Sequence, residues 1–166
     1  EKTSEKVRLR FLIDEGPQRA NQALKALETS IKIAPKRAAS HHLKGYILER
    51  LDRPEEALLA YARAVDLEPK NSTYQQAEAI ARVHVGEGEK AKMSLINILR
   101  YDPKNQAVRR ALAHVYMNAK KWKKAERLLI KAPQQTPEIK TDTAVVHLSA
   151  GQVNKALKQL QILAKN

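Results

Sequence analysis

Residues 53–71, RPEEALLAYARAVDLEPKN, set apolar side chains at Leu58, Tyr61 and Val65, three and four positions apart, so they share one side of a helix. Leu24, Leu27 and Ile31 show the same spacing upstream. The segment between, typified by SHHLKGYILERL at 40–51, carries an apolar stripe of its own. Alternating β-branched runs are absent, so the predicted elements are helices, arranged in pairs of about 14 residues each joined by short turns.

The pairs recur. A second stretch, EGEKAKMSLINILRYDPKN, begins at Glu87 where the first begins at Arg53, with Ala91 in place of Ala57 and Pro103 in place of Pro69. Pro35, Pro69, Pro103 and Pro137 follow one another at a constant spacing of 34, and Ala23, Ala57, Ala91 and Ala125 each precede one of them at a constant spacing of 12. Small residues at Gly45, Ala79 and Ala113, and at the alanines just named, allow close helix approach within each pair. Proline shortly after the second helix cannot continue it and redirects the chain. One pair cannot bury its own apolar faces, so pairs must stack into a solenoid.

The pattern resembles the tetratricopeptide repeat (TPR) family. Residues 38–71 match through Gly45, Leu48, Ala57, Tyr61, Ala64 and Pro69; residues 72–105 through Ala79, Ala91, Leu95 and Pro103; and residues 106–136 through Leu112, Ala113, Tyr116, Trp122 and Ala125. Residues 4–37 match in their second half, through Ala23, Leu27 and Pro35. A fifth unit aligns only if it begins near Pro137, placing Ala144, Gly151, Ala156 and Leu160; the fourth unit is then shortened to 106–136, with Pro133 stopping its helix early. The resemblance implies an all-α, right-handed superhelical solenoid of about five helix pairs, one domain over 1–166 with units at 4–37, 38–71, 72–105, 106–136 and 137–166.

Charge changes this picture more than composition does. The net charge is +13 and the pI about 10.0, which favours acidic partners: an acidic protein or peptide, a polysaccharide, a nucleic acid or anionic lipid. Residues 104–131 hold nine Lys or Arg against Glu126 alone. Within them, Lys120, Lys121, Lys123 and Lys124 surround Trp122 and form a basic face. Such a surround resembles a stacking clamp for nucleic acid, but this register in the family holds a large aromatic packed inside the unit, and packing is the expectation. With no cysteine, disulfides, thiolate catalysis and cysteine metal sites are excluded. No apolar run reaches the roughly 18 residues of a membrane span. EKTSEKVRLR at the start lacks the apolar core of a signal peptide. The chain begins at Glu1 rather than Met, which leaves a preceding targeting or anchoring segment open; cytoplasmic and bacterial periplasmic settings are both compatible.

No metalloprotease, P-loop, dinucleotide or nucleophile-elbow motif occurs. Adjacent His41 and His42 diverge by about 100° on a helix and make poor joint ligands. Structural or surface roles are therefore expected for the histidines, and neither catalysis, a cofactor nor a metal is expected. In the family, the first helix of each pair lines a concave groove that takes peptides. That resemblance directs Arg8 and Leu12 inward from the first unit, and His42, Leu43, Tyr46, Glu49 and Arg50 from the second. Gln76, Ile80, Val83 and His84 follow from the third, and Arg110, His114 and Met117 from the fourth. Leu43, Ile80 and Val83 read as packing; the others are the expected partner contacts. Where chaperone-tail clamps of the family carry asparagine, this chain has Leu12 and Tyr46, so such tails are not the expected ligand. The function read from the sequence is a non-enzymatic protein-binding scaffold. Its alternatives are a segment of a bacterial envelope machine for polysaccharide export, pilus or secretion assembly, and polyanion binding through 104–131.

Overall fold

The structure, a computed structural model, describes residues 16–164. Among the described residues the regular structure is helical throughout: α1 (Pro17–Ile33), α2 (Ala38–Arg50), α3 (Pro54–Leu67), α4 (Ser72–His84), α5 (Gly88–Tyr101), α6 (Gln106–Asn118), α7 (Trp122–Ile130), α8 (Pro137–Ser149) and α9 (Val153–Leu163). The chain divides into two compact units, Glu1–Val85 and Gly86–Asn166. In each, sequence neighbours pack as antiparallel helices with short connections.

Proline and the capping residues set the helix bounds. Pro17, Pro54 and Pro137 open α1, α3 and α8, where the missing N–H is no loss. The side chains of Asn71, Asn105 and Thr136 accept from the backbone N–H groups of Thr73, Val108 and Ile139, capping α4, α6 and α8. Helices α1, α3 and α5 end just ahead of Pro35, Pro69 and Pro103. Helix α7 has only 9 residues and stops ahead of Pro133, while Pro137 starts α8, as the shortened fourth repeat predicts.

The turn inside each pair keeps the same phase. Asp52, Gly86, Lys120 and Gly151 all take positive φ, at 56°, 82°, 56° and 75°. The first three keep the constant spacing of the prolines and the fourth comes three positions early, so the left-handed residue that reverses the chain follows the repeat's phase. The residue after it closes the turn: Arg53 N–H donates to Leu48 O at 3.0 Å, and Lys121 N–H to Tyr116 O at 2.8 Å.

A second repeating device fixes the bends at Pro35, Pro69 and Pro103. Ring nitrogen Nε2 of His41 lies 2.8 Å from the carbonyl of Pro35, Nε2 of Gln75 donates to Pro69 at 2.7 Å, and Nη2 of Arg109 to Pro103 at 2.6 Å. Each side chain reaches back over the same short stretch, and the three stand at equivalent positions of successive repeats. An imidazole, an amide and a guanidinium thus tie the start of one repeat to the proline that ends the last.

The small positions are buried as expected: Gly45, Ala57, Ala79, Ala91, Ala113 and Ala125. In the first unit Ala23, Leu24, Leu27, Ile47, Leu48 and Tyr61 form the core. In the second, Ala113, Ala125, Leu129, Ile139 and Val146 share one cluster. Gly45 is where shape is tightest. A Cβ there would lie 2.6 Å from Cδ1 and Cε1 of Tyr61, so the ring lies directly against the backbone of α2. Two repeats on, Ala113 and Leu129 hold the same two positions, and a shorter partner leaves room for the methyl.

Candidate functional site

In the first unit, α2 and α4 are both first helices of a pair. Gly45, Ile47 and Leu48 of α2 face the core, as do Ala79, Ala81 and Val83 of α4. His42, Tyr46 and Glu49 are partly buried and Arg50 exposed, while on α4 Gln76 is partly buried and His84 exposed. The helical period therefore leaves the predicted contacts on a solvent-reachable side. Glu49 organises this side. Its Oε2 accepts from the Tyr61 hydroxyl at 2.8 Å, and its Oε1 lies 3.6 Å from Nδ1 of His84. The Glu49 carboxylate beside it raises the pKa of His84 above its ordinary value, against the opposing effect of burial. Burial, and then the bond to Glu49, pushes the Tyr61 phenol far up, so it stays a donor. His42 lies against two rings, 5.4 Å from the Tyr61 centroid and 4.9 Å from that of Tyr74.

In the second unit, the predicted contacts on α6 separate into three environments. His114 is exposed. Met117 is partly buried against the Ala113–Leu129 cluster. Arg110 directs its fork at the chain's own Asp142: Nε donates to Oδ2 at 2.5 Å and Nη2 to Oδ1 at 3.3 Å. Asp142 is buried on α8, so this guanidinium joins two first helices, and the carboxylate raises its pKa further. The sequence offers Arg110 as a fork for a partner's carboxylate; the structure supplies that carboxylate from within. His147 on α8 is likewise buried, with Nε2 2.9 Å from Oε1 of Glu126 on α7.

Asp142, Glu126, Tyr61 and Tyr74 are not among the site residues that the sequence suggests, although a signal exists for two of the pairs. Glu49 and His84 stand one repeat plus one position apart, and so do Arg110 and Asp142 across the shortened repeat. First helices of neighbouring repeats meet one position beyond register in both cases.

The basic face is exposed at Lys120, Lys121, Lys123 and Lys124. Lys120 is also the left-handed turn residue, and Nζ of Lys124 lies 6.0 Å over the Tyr116 ring. Trp122 is partly buried against the second unit's core, which is packing rather than an open stacking platform. Leu43 packs against the first unit's core and Val83 is buried, as expected of spacers. Arg8 and Leu12 lie outside the described residues. Among the described residues no group of three or more metal-ligating side chains converges, and no helix is long and apolar enough to cross a membrane.

Models of the tetratricopeptide repeat match residues 84–142 and 38–71, between them more than half of the chain. The chain belongs to the tetratricopeptide repeat family. No curated protein matches it in sequence. Solved structures share its fold at low identity. MamA (residue 41 to its end) from Desulfovibrio magneticus RS-1 superposes with a TM-score of 0.79 at 12% identity, over 98% of this chain and 93% of that one. A putative kinesin light chain from Podospora anserina, with nearly identical TPR-like repeats, gives 0.79 at 19%, over 98% and 92%. YrrB, described as a TPR protein with an unusual peptide-binding site, gives 0.68 at 14%, over 89% and 78%.

Proposed function

We propose that the chain is a non-enzymatic scaffold that binds a protein partner, in extended or helical form, on the solvent-reachable sides of its first helices. One observation carries this reading: His42, Tyr46, Glu49, Arg50, Gln76 and His84 share one phase on α2 and α4 and stay reachable, while the other sides of both helices are buried. Packing against Tyr61 and Tyr74 holds His42 in place, and Glu49 is held by Tyr61, which limits the ordering cost of binding. In the second unit His114 and Met117 are the corresponding contacts. The peptide-binding site ascribed to YrrB, a protein of the same fold, agrees with such a use.

The test is to select peptides from a random display library on the purified chain and measure them against variants. Peptides selected on the first unit's side should bind Arg50→Ala/His84→Ala, and those on the second unit's side His114→Ala, at least roughly tenfold more weakly, with far-ultraviolet circular dichroism unchanged. Peptides that bind these variants as well as the parent would refute the reading.

A second reading has its own support. Residues 86–166 carry 16 Lys or Arg against 6 Asp or Glu, a surplus of +10 out of the chain's +13, and the four lysines around Trp122 are exposed. A polyanion on this face would bind with a steep salt dependence, whereas a peptide held on the first unit by Tyr46 would not.

A further inference from the structure

A cleft of about 430 Å³ opens beside α8 and α9, lined by Gln135, Lys140, His147, Lys155, Lys158 and Ile162 along with Gln159. Lys140 and His147 are two turns apart on α8, and Lys155, Lys158 and Ile162 follow one side of α9, so the cleft runs along the pair. This is a different side of α8 from the partner-binding phase: Lys140 precedes Thr141, the register mate of Arg110, and is rotated about 100° from it. Three amines face the cleft, and among the described residues no carboxylate lines it. The acid near its floor, Glu126, is engaged by Nε2 of His147. Among the described residues Lys140, Lys155 and Lys158 make no ion pair or side-chain hydrogen bond, as the interactions of α8 and α9 go elsewhere.

The repeat itself explains why the cleft forms here. One shortened repeat earlier, the Lys140 position is Arg109, whose Nη1 donates to Leu128 O at 3.0 Å and so ties α6 to α7. The His147 position is Tyr116, and the Lys155 position is Lys124, lying over that ring. In the last pair a shorter cation replaces the bridging fork, and an imidazole drawn towards Glu126 replaces the phenol ring. The space stays open, and among the described residues no acid neutralises its charges.

We propose that this cleft is a second docking site, for a short acidic peptide segment. Converging amines repel one another and gain from a carboxylate-bearing ligand. Lysines deliver point charges on flexible stems, which suits carboxylates spaced along a peptide, while rigid phosphate recognition uses Arg forks or clustered backbone N–H groups that the lining lacks. The amide of Gln159 and the amide oxygen of Gln135, whose Nε2 already donates to the carbonyls of Leu129, Ile130 and Ala132, offer partners for a peptide backbone, and the volume lies within the range of ligand sites. The site is independent of the first-helix reading and uses none of its residues.

The test uses the full chain and two fluorescein-labelled peptides, Asp-Glu-Leu-Glu-Asp-Glu and its Asn/Gln counterpart. The acidic peptide should bind and its amide counterpart should not. The triple variant K140Q/K155Q/K158Q changes one partly buried and two exposed lysines and should weaken binding roughly tenfold, the scale of three part-exposed charge pairs. K120Q/K121Q/K123Q/K124Q removes more charge from the same unit and should change it less than about threefold. Amide shifts on titration should concentrate in 135–162. Equal losses in the two variants would reduce the effect to diffuse attraction and overturn the proposal. Inorganic pyrophosphate or a DNA oligonucleotide displacing the peptide from the cleft, and itself sensitive to the triple variant, would overturn the assignment to an acidic peptide.

Discussion

Gly45→Ala should destabilise the protein, although helix propensity alone predicts the reverse. Alanine in mid-helix is favoured over glycine by about 1 kcal/mol. The added Cβ, however, would lie 2.6 Å from two ring carbons of Tyr61, a residue only 3% exposed, whose hydroxyl is held by Glu49. A contact about 1 Å inside van der Waals distance in a filled core belongs at the upper end of overpacking costs, about 3 kcal/mol. The net change is a loss of about 2 kcal/mol. Tyr61→Leu should cost about 2–3 kcal/mol by itself through lost ring contacts and the lost bond to Glu49. With leucine at 61, as Leu129 stands opposite Ala113, the methyl has room and the propensity gain returns. The double variant should therefore be more stable than additivity predicts by about 3 kcal/mol. Urea unfolding followed by circular dichroism on the four proteins measures the cycle. Coupling within about 0.5 kcal/mol would show independent positions and refute the account of why glycine stands at 45.

Lys120→Gly should stabilise by about 0.5–1 kcal/mol in the same assay, because a side chain at φ 56° is strained where glycine is not; a loss would show that the turn is held by Lys120's side chain. Trp122→Ala should cost about 2 kcal/mol, short of the ~3–5 of full burial, with oligonucleotide affinity unchanged; a stability-neutral variant with weakened nucleic-acid binding would return Trp122 to a stacking role. Glu49→Gln should return His84 towards its ordinary pKa, read by NMR titration of the ring. Since Glu49 raises the folded-state pKa of His84, its stabilisation through that pair is present below about pH 6.5 and lost as pH rises through the folded value. The stability gap between parent and variant should thus be wider near pH 5.5 than near pH 8.5, and a gap widening with pH would contradict the pairing.

Spacing made the repeat legible: evenly spaced prolines, an alanine at a fixed distance before each, and Pro133 marking the short fourth unit all correspond to helix ends and buried contacts. The turn was only half visible. Gly86 and Gly151 announce positive φ, while Asp52 and Lys120 take the same conformation without a residue type that requires it. Surface exposure was also legible, since the family resemblance picks out the first helices and helical period then leaves Arg50, His84 and His114 exposed. What period cannot tell is how a charge is engaged. Arg110 looked available because Asp142 stands on another helix, remote along the chain, and the attraction between them depends on a distance that only packing sets. The cleft beside α9 was invisible for a related reason, because it arises from side chains shorter than their counterparts one repeat earlier.

The ties from His41, Gln75 and Arg109 back to a proline carbonyl have a consequence for how such repeats diverge. Selection at this position acts on reach and on the possession of an N–H, so identity can drift freely among imidazole, amide and guanidinium while the bend is kept. Aspartate and glutamate are barred, since an ionised carboxylate facing a carbonyl sets acceptor against acceptor. A profile that scores this column by residue similarity therefore sees noise where three successive repeats keep one donor function, and repeats that have exchanged one donor for another will look more distantly related than their backbones are.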